Sequence, residues 1–210
     1  MGEEVKKASK RIPAETRNEV DLLKRIKELE SLVKAQGLKV DNTPIISSEE
    51  YIEVISLCPY SVTVTTEPKG RGYYYTWPRF GGIYTIMYSD LQRLIKNHGN
   101  GVYTDFFREG YLYINNPAIV RKSGLQEVYK NLLNYEQFEE VLKCESEKCI
   151  ELFKSATSTH RKFICQLLID KLVNGEKLDL NIIDQLSRIA KIEIVKEAED
   201  AKSFLPYKIE

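Results

Sequence analysis

Apolar and polar residues alternate in three different ways along the chain. In the first 46 residues the apolar positions are sparse and helical in period. Leu22, Ile26, Leu29 and Val33 recur at spacings of four, three and four, with Leu23 and Leu32 beside them and Lys24, Lys27, Glu28, Glu30 and Lys34 opposite. This predicts an amphipathic helix from about Glu15 to Ala35, ended by Gly37. The stripe lasts about two heptads, and a lone helix of that length is marginal in water, so its apolar face must pack on something. It can dock on its own domain, on a second copy or on a partner. Leu22, Ile26, Leu29 and Val33 are the candidate partner-helix positions.

Between residues 47 and 122 the period changes to two. Ile52–Cys58 reads as a strand, Pro59-Tyr60 as a tight connection, and Ser61–Thr66 as a second, alternating strand. Pro68-Lys69-Gly70-Arg71-Gly72 is a turn, and Tyr73–Trp77 is a strand of the aromatic kind that suits a pleated surface. Gly81-Gly82 leads into Ile83–Met87; Ser89 and Asp90 open a helix with Leu91, Leu94 and Ile95 on one face, closing at Asn97-His98-Gly99. Tyr111–Ile114 is a last strand before Pro117. The expectation is a small antiparallel sheet or barrel carrying one inserted helix.

From residue 123 the period is helical again. Leu125, Val128, Leu132 and Leu133 form one face, Phe138, Val141 and Leu142 another, and Ile150, Leu152 and Phe153 a third. Ser158 or Thr159 caps a stronger helix that buries Phe163, Ile164, Leu167, Leu168 and Leu172 and stops at Asn174-Gly175. Leu180, Ile182, Ile183, Leu186, Ile189 and Ile192 make the last substantial helix. The fold class is α+β in three parts: a charged arm (1–46), a small β-rich domain (47–122) and a helical domain (123–210).

Composition narrows the function classes. Among 210 residues, 31 basic and 31 acidic side chains cancel, which disfavours a basic nucleic-acid coat and an acidic disordered tail. No run approaches the roughly 18 apolar residues of a spanning helix, and the N-terminus lacks an apolar signal core. Lys6 stands where an N-myristoylation signal needs Ser or Thr. Cys58, Cys144, Cys149 and Cys165 form no C-x-x-C pair and read as small buried apolar residues of a reducing compartment. A soluble intracellular protein is expected.

Catalytic chemistry finds little to work with. The two histidines, His98 and His160, read as surface residues at a helix end and in a first helical turn, rather than as general bases. Cys144, Cys149, His160 and Cys165 are zinc-competent in type, but residues five apart on a helix diverge by about 140°. A break near Glu145-Ser146 could bring the first pair together. No phosphate loop and no dinucleotide fingerprint is present. The expectation is a non-enzyme with no catalytic residues, no metal and no cofactor.

One stretch invites a binding role. Lys69, Arg71, Tyr73, Tyr74, Tyr75, Trp77 and Arg79 interleave charge with flat rings, the combination that single-stranded nucleic acid uses. Eleven of the 13 tyrosines lie between Tyr51 and Tyr129. Residues 51–130 hold 9 basic and 6 acidic side chains, whereas the last 80 hold 12 and 15. Strand alternation sends Tyr73, Tyr75 and Trp77 to one face and Tyr74 and Thr76 to the other, so one face is expected to be core. The same hairpin could instead meet a protein.

Glu53–Pro59, Gly70-Arg71-Gly72, Phe80-Gly81, Tyr88–Leu91, Gly110–Ile114 and Val120–Leu125 together resemble a group of uncharacterised tailed-phage proteins. The resemblance spans about residues 50–200 and leaves out the arm. It implies a β domain followed by a helical domain in a virion or head-associated structural protein, whose partners are capsid or other virion proteins; it carries no functional residue across. The leading expectation is thus a non-enzymatic phage structural or assembly protein, with self-association through the N-terminal helix. The alternative is a nucleic-acid-binding regulator using residues 69–80. No membrane partner is expected.

Overall fold

The computed structural model describes residues 24–28, 46–67, 70–98 and 104–203. The chain divides into two units, Met1–Thr43 and Pro44–Glu210. In the first, residues 24–28 are helical and Ile26 is 50% exposed. Leu22, Leu29 and Val33 lie outside the described residues.

The second unit is a mixed α+β structure. Strand β1 (Tyr51–Ser56) is the centre of a three-stranded antiparallel sheet, flanked by β4 (Ile83–Met87) and β5 (Leu112–Ile114). Its register pairs Ile52 with Ile86, and Val54 with both Tyr84 and Ile114. Because strand side chains alternate, Ile52, Val54 and Ser56 turn to the core. Tyr51, Glu53 and Ile55 turn the other way. There Tyr51 and Ile83 are 66% and 60% exposed, while Ile55 is covered.

Strands β2 (Val62–Glu67) and β3 (Arg71–Trp77) form a separate hairpin. Val62 faces Trp77 and Val64 faces Tyr75 on its inner side; Thr63 faces Thr76 and Thr65 faces Tyr74 on its outer side. The Thr63 and Thr76 hydroxyls are 3.0 Å apart. The expected single sheet or closed barrel is therefore two ladders. Strand β1 pairs with β4 and β5, β2 pairs with β3 alone, and among the described residues no ladder joins β4 or β5 to the hairpin. A side chain joins the ladders instead: the indole N–H of the wholly buried Trp77 donates to the Val54 carbonyl at 2.9 Å.

Helix α1 (Tyr88–His98) follows β4 directly and buries Leu91 and Leu94. After β5 come α2 (Pro117–Lys122), α3 (Gln126–Tyr129), α4 (Tyr135–Lys143), α5 (Glu147–Ser155), α6 (Ser158–Val173), α7 (Leu180–Ala190) and α8 (Ile194–Ser203). Local sequence sets several of their starts. Asn116 accepts from the amides of Ala118 and Ile119 with Pro117 in the first turn, and Asn134 and Gln137 complete a reciprocal capping box. Thr157 caps α6, one residue before the expected Ser158 or Thr159, by accepting from the His160 amide at 3.2 Å.

The β-rich and helical parts share one hydrophobic cluster. It runs from Val54, Trp77 and Leu112 through Leu125 and Phe138 to Leu168, Ile183 and Ile194. Each such side chain, when fully buried, contributes roughly 1.5–3 kcal/mol. The continuity across residue 122 means the two parts hold one another up rather than standing as separate cores. Among the described residues, no helix is long and apolar enough to cross a membrane.

Candidate interaction surface

The tip of the β2–β3 hairpin is shaped by a bulge. Thr65 pairs with Tyr74 and Glu67 with Arg71, so two residues of β3, Gly72 and Tyr73, stand opposite Thr66 alone. Gly72 has φ +81° and a Cβ there would collide with the Thr66 hydroxyl, which fixes glycine at this position. The buried Thr66 hydroxyl accepts from the Tyr73 amide at 3.0 Å, and the Thr66 carbonyl accepts from the Asn97 side chain of α1 at 2.7 Å. A polar knot thus ties the hairpin tip to the helix. It leaves Tyr73 69% exposed, although Tyr73 shares the parity of Tyr75 and Trp77.

A strip of rings runs along the seam between the two ladders. Tyr84 of β4 meets Tyr75 edge-on at 5.4 Å and Trp77 at 5.8 Å between centroids. Tyr75 is held from below: its hydroxyl donates to the Asp90 carboxylate at 2.7 Å, and Arg93 pairs with the other oxygen at 3.4 Å. Burial and the Asp90 carboxylate both push the Tyr75 phenol well above its ordinary range, so it stays a neutral donor. With Tyr84 42% exposed, the result is a ledge of firmly set aromatic edges.

The structure separates the expected hairpin residues into three groups. Arg71, Tyr73, Tyr74 and Arg79 are exposed, and the Tyr74 hydroxyl donates to the Gly70 carbonyl. Tyr75 is half-buried and committed to Asp90. Trp77 is fully buried and its N–H is spent on Val54, so it belongs to the core and not to a contact face. Lys69 lies outside the described residues. Tyr84, Asp90 and Arg93 complete the ledge and were not singled out from sequence. Tyr84 sits in a strand of the other ladder, which only tertiary packing brings alongside, and Asp90 was legible only as a helix-opening residue.

Two clefts flank α6. The larger, of about 510 Å³, has Pro59, Tyr60 and Tyr111 on one wall and Phe163, Gln166 and Asp170 on the other. Phe163 meets Tyr111 edge-on at 4.9 Å and Tyr60 at 5.9 Å. The second, of about 290 Å³, lies between Phe80 and Leu142 on one side and Leu167 and Lys171 on the other. Apart from Phe80, which closes the stretch 69–80, none of these lining residues was expected as a site, because their chemistry is ordinary and their convergence is tertiary.

His160 is not the surface residue that its position suggests. It is fully buried, with Nδ1 accepting from the Leu133 amide at 3.3 Å and Nε2 3.0 Å from the Gly110 carbonyl. That pairing requires the neutral tautomer with its proton on Nε2. Burial lowers its pKa to about 4, against a smaller raising effect of the Gly110 carbonyl. Both ring nitrogens serve the backbone. A break does separate α4 from α5, with Cys144 as a left-handed cap (φ 51°). Even so, among the described residues no three His, Cys, Asp or Glu side chains are grouped to hold a metal. All four cysteines are buried thiols, and burial raises Cys58, Cys144 and Cys165 to about 12.

No family model, no curated protein and no solved structure matches the chain.

Proposed function

We propose that the protein is a non-enzymatic structural or assembly component of a tailed-phage particle, an accessory capsid or head-associated protein that works through protein–protein contacts. The observation that carries this reading is the aromatic ledge: exposed Tyr73 and Tyr84 beside a Tyr75 pinned by Asp90. Tyrosine and arginine are the side chains most enriched at binding hot spots, and a ring already fixed loses little entropy on binding. Exposed Tyr51 and Ile83 form a separate apolar area on the opposite, outer face of the three-stranded sheet. The balanced charge of the chain fits a contact made by shape and rings more than by a phosphate backbone. The phage setting rests on the sequence resemblance, and the arm helix supplies a means of self-association.

Quantitative mass spectrometry of gradient-purified virions from the source phage tests this. A fixed copy number in the tens to hundreds, the order expected of closed symmetric assemblies, supports it. Absence from particles, with the protein abundant in infected cells, overturns it.

A second reading is a regulator that binds single-stranded nucleic acid through residues 69–80. Exposed Arg71 next to exposed Tyr73 and Tyr74 favours it. On this reading Arg71→Ala and Tyr74→Ala each weaken binding of an oligonucleotide, the tyrosine by about 1–3 kcal/mol. It ranks second because the 31 basic and 31 acidic side chains of the chain cancel, leaving no net charge to draw a phosphate backbone.

A further inference from the structure

We propose that His160 is a proton-operated latch: on taking a second ring proton it lets go of the Leu133 amide, keeps the Gly110 carbonyl, and so frees the connector 130–133 between α3 and α4. The device belongs to the fold and does not depend on the reading of the protein as a particle component.

The two contacts of the ring are chemically unlike. Nε2 stands 3.0 Å from the Gly110 carbonyl, an acceptor, and Nδ1 stands 3.3 Å from the Leu133 amide, a donor. A neutral imidazole with its proton on Nε2 satisfies both; an imidazolium, with a proton on each nitrogen, satisfies only the first. Turning the ring over does not restore the second, because both nitrogens then donate. The added charge strengthens the bond to Gly110 and sets two N–H groups against each other at Leu133. One proton thus acts in opposite directions on two segments that meet the same ring.

The Leu133 side is also the less firmly tied. The amides of Lys130 and Asn131 donate back into α3, to the Gln126 and Val128 carbonyls, and the Asn134 amide donates to Gln137 in the capping box. Among the described residues, the Leu133 amide makes the one bond donated by the backbone of residues 130–134 that leaves α3 and α4. The Gly110 loop is braced more widely: the Glu109 amide donates to the Asp105 carbonyl, and those of Tyr111 and Leu112 both donate to Phe106. The helices beside the connector keep anchors of their own. The Tyr129 hydroxyl accepts from the Ile114 amide, and Phe138 is fully buried. What the latch governs is therefore local: the cover over Leu132 and Leu133, both buried while it is closed.

Neighbouring charges leave the ring to itself. In the Gly110 loop Asp105 pairs with Arg108, and Glu109 is exposed. Ahead of Leu133, Lys130 pairs with Glu127. On α4, Glu139 accepts from the Tyr135 hydroxyl, Glu140 pairs with Lys148, and Glu136 is exposed. On α6 itself Arg161 and Lys162 follow the ring. Its ionisation is set by burial, which lowers the pKa to about 4 against the smaller raising effect of the Gly110 carbonyl.

Amide hydrogen exchange on the full chain between pH 7 and 4, corrected for the intrinsic pH dependence of exchange, tests the latch. Protection of the Leu133 amide should fall by up to about tenfold for each pH unit below about 6.5. The Tyr111 and Leu112 amides and the fluorescence of Trp77 should hold steady over the same range. In His160→Gln, whose side chain has an acceptor and a donor but does not titrate, protection of Leu133 should not vary with pH. Imidazole 15N shifts of the parent at pH 7 should show Nε2 protonated and Nδ1 bare. Loss of protection at Leu133 together with Tyr111 and Leu112 overturns the proposal, since the whole region then opens as one. Unchanged protection of Leu133 in the parent, the same fall in His160→Gln, or a proton on Nδ1 at pH 7 overturns it equally. If the variant does not fold, the two sets of amides in the parent still decide. None of these outcomes depends on virion copy number, so failure here and failure of the particle reading are separately visible.

Discussion

The imidazole of His160 and the carbonyl of Gly110 lie 3.0 Å apart, although fifty residues separate them in the chain. Gly110 has φ +80°, a conformation that side chains avoid, and a Cβ there would collide with the His160 ring. Together with the Leu133 amide on the other ring nitrogen, this contact pins two loops against the start of α6.

Gly110→Ala should therefore be costly twice, through backbone strain and through displacement of a buried ring. A loss on the order of 3 kcal/mol is expected in urea unfolding. Gly124→Ala is the control: it shares a positive φ of +67° but meets nothing within 4 Å, so about 1 kcal/mol should be lost. Equal losses for the two variants would show that the His160 contact is unimportant.

The same ring makes stability depend on pH in a defined window. An unfolded histidine takes a proton near 6.5, whereas His160 in the fold takes one only near 4. Between those values the unfolded chain holds the extra proton, so stability falls as pH drops from about 6.5 to about 4. Above 6.5 this group contributes no slope. The full difference is about 3 kcal/mol. The comparison of parent and His160→Gln across pH 4–7 isolates it from the carboxylates. The variant should be less stable at neutral pH and should lack this part of the slope; parallel curves would refute the assignment.

Trp77 is the sole tryptophan and is fully buried, with Tyr84 at 5.8 Å. Native fluorescence should be blue-shifted and should move red in one step on unfolding. Trp77→Phe removes the donor to Val54 and leaves space, at a cost of about 2–3 kcal/mol by chemical denaturation. An emission maximum already at the position of free tryptophan in the native state would contradict this placement.

Tyr73→Ala should behave in the opposite way. The ring is 69% exposed, so stability should change by less than about 0.5 kcal/mol. Binding to a partner that uses the ledge should weaken by about 2 kcal/mol or more. Tyr75→Phe probes the support beneath it: losing the hydroxyl that donates to Asp90 should cost about 1.5–3 kcal/mol of stability. Tyr73→Ala that leaves every measured association unchanged would remove the ledge from the function.

Much of the local structure was legible in the sequence, and most of the site was not. Period-two runs located β1 to β5 to within two residues, and the stop of α6 at Asn174-Gly175 was readable because capping is local; of its expected apolar face Phe163, Ile164 and Leu168 are buried, whereas Leu167 and Leu172 are half-buried and Ile169 takes a place in the core. The face shared by Tyr75 and Trp77 was also readable. What failed was everything set by residues far apart. The bulge at the hairpin tip, beside exposed Tyr73, depends on Gly72 meeting Thr66 across the hairpin. His160 looked solvent-facing because Arg161 and Lys162 follow it, and its two backbone partners come from 27 and 50 residues away. Nor could local pattern show that β1 would take β4 and β5 as neighbours while β2 and β3 paired only with each other.

The four buried thiols make the protein its own clock for opening. In the folded state all four are shielded, and burial keeps Cys58, Cys144 and Cys165 protonated far above neutral pH. Alkylation can then proceed only through molecules that have opened. Cys58 follows β1 and the others lie among α4, α5 and α6, so mass spectra of partly labelled protein would show which region opens first. If one core unites the sheet and the helices, all four sites should react at a common rate.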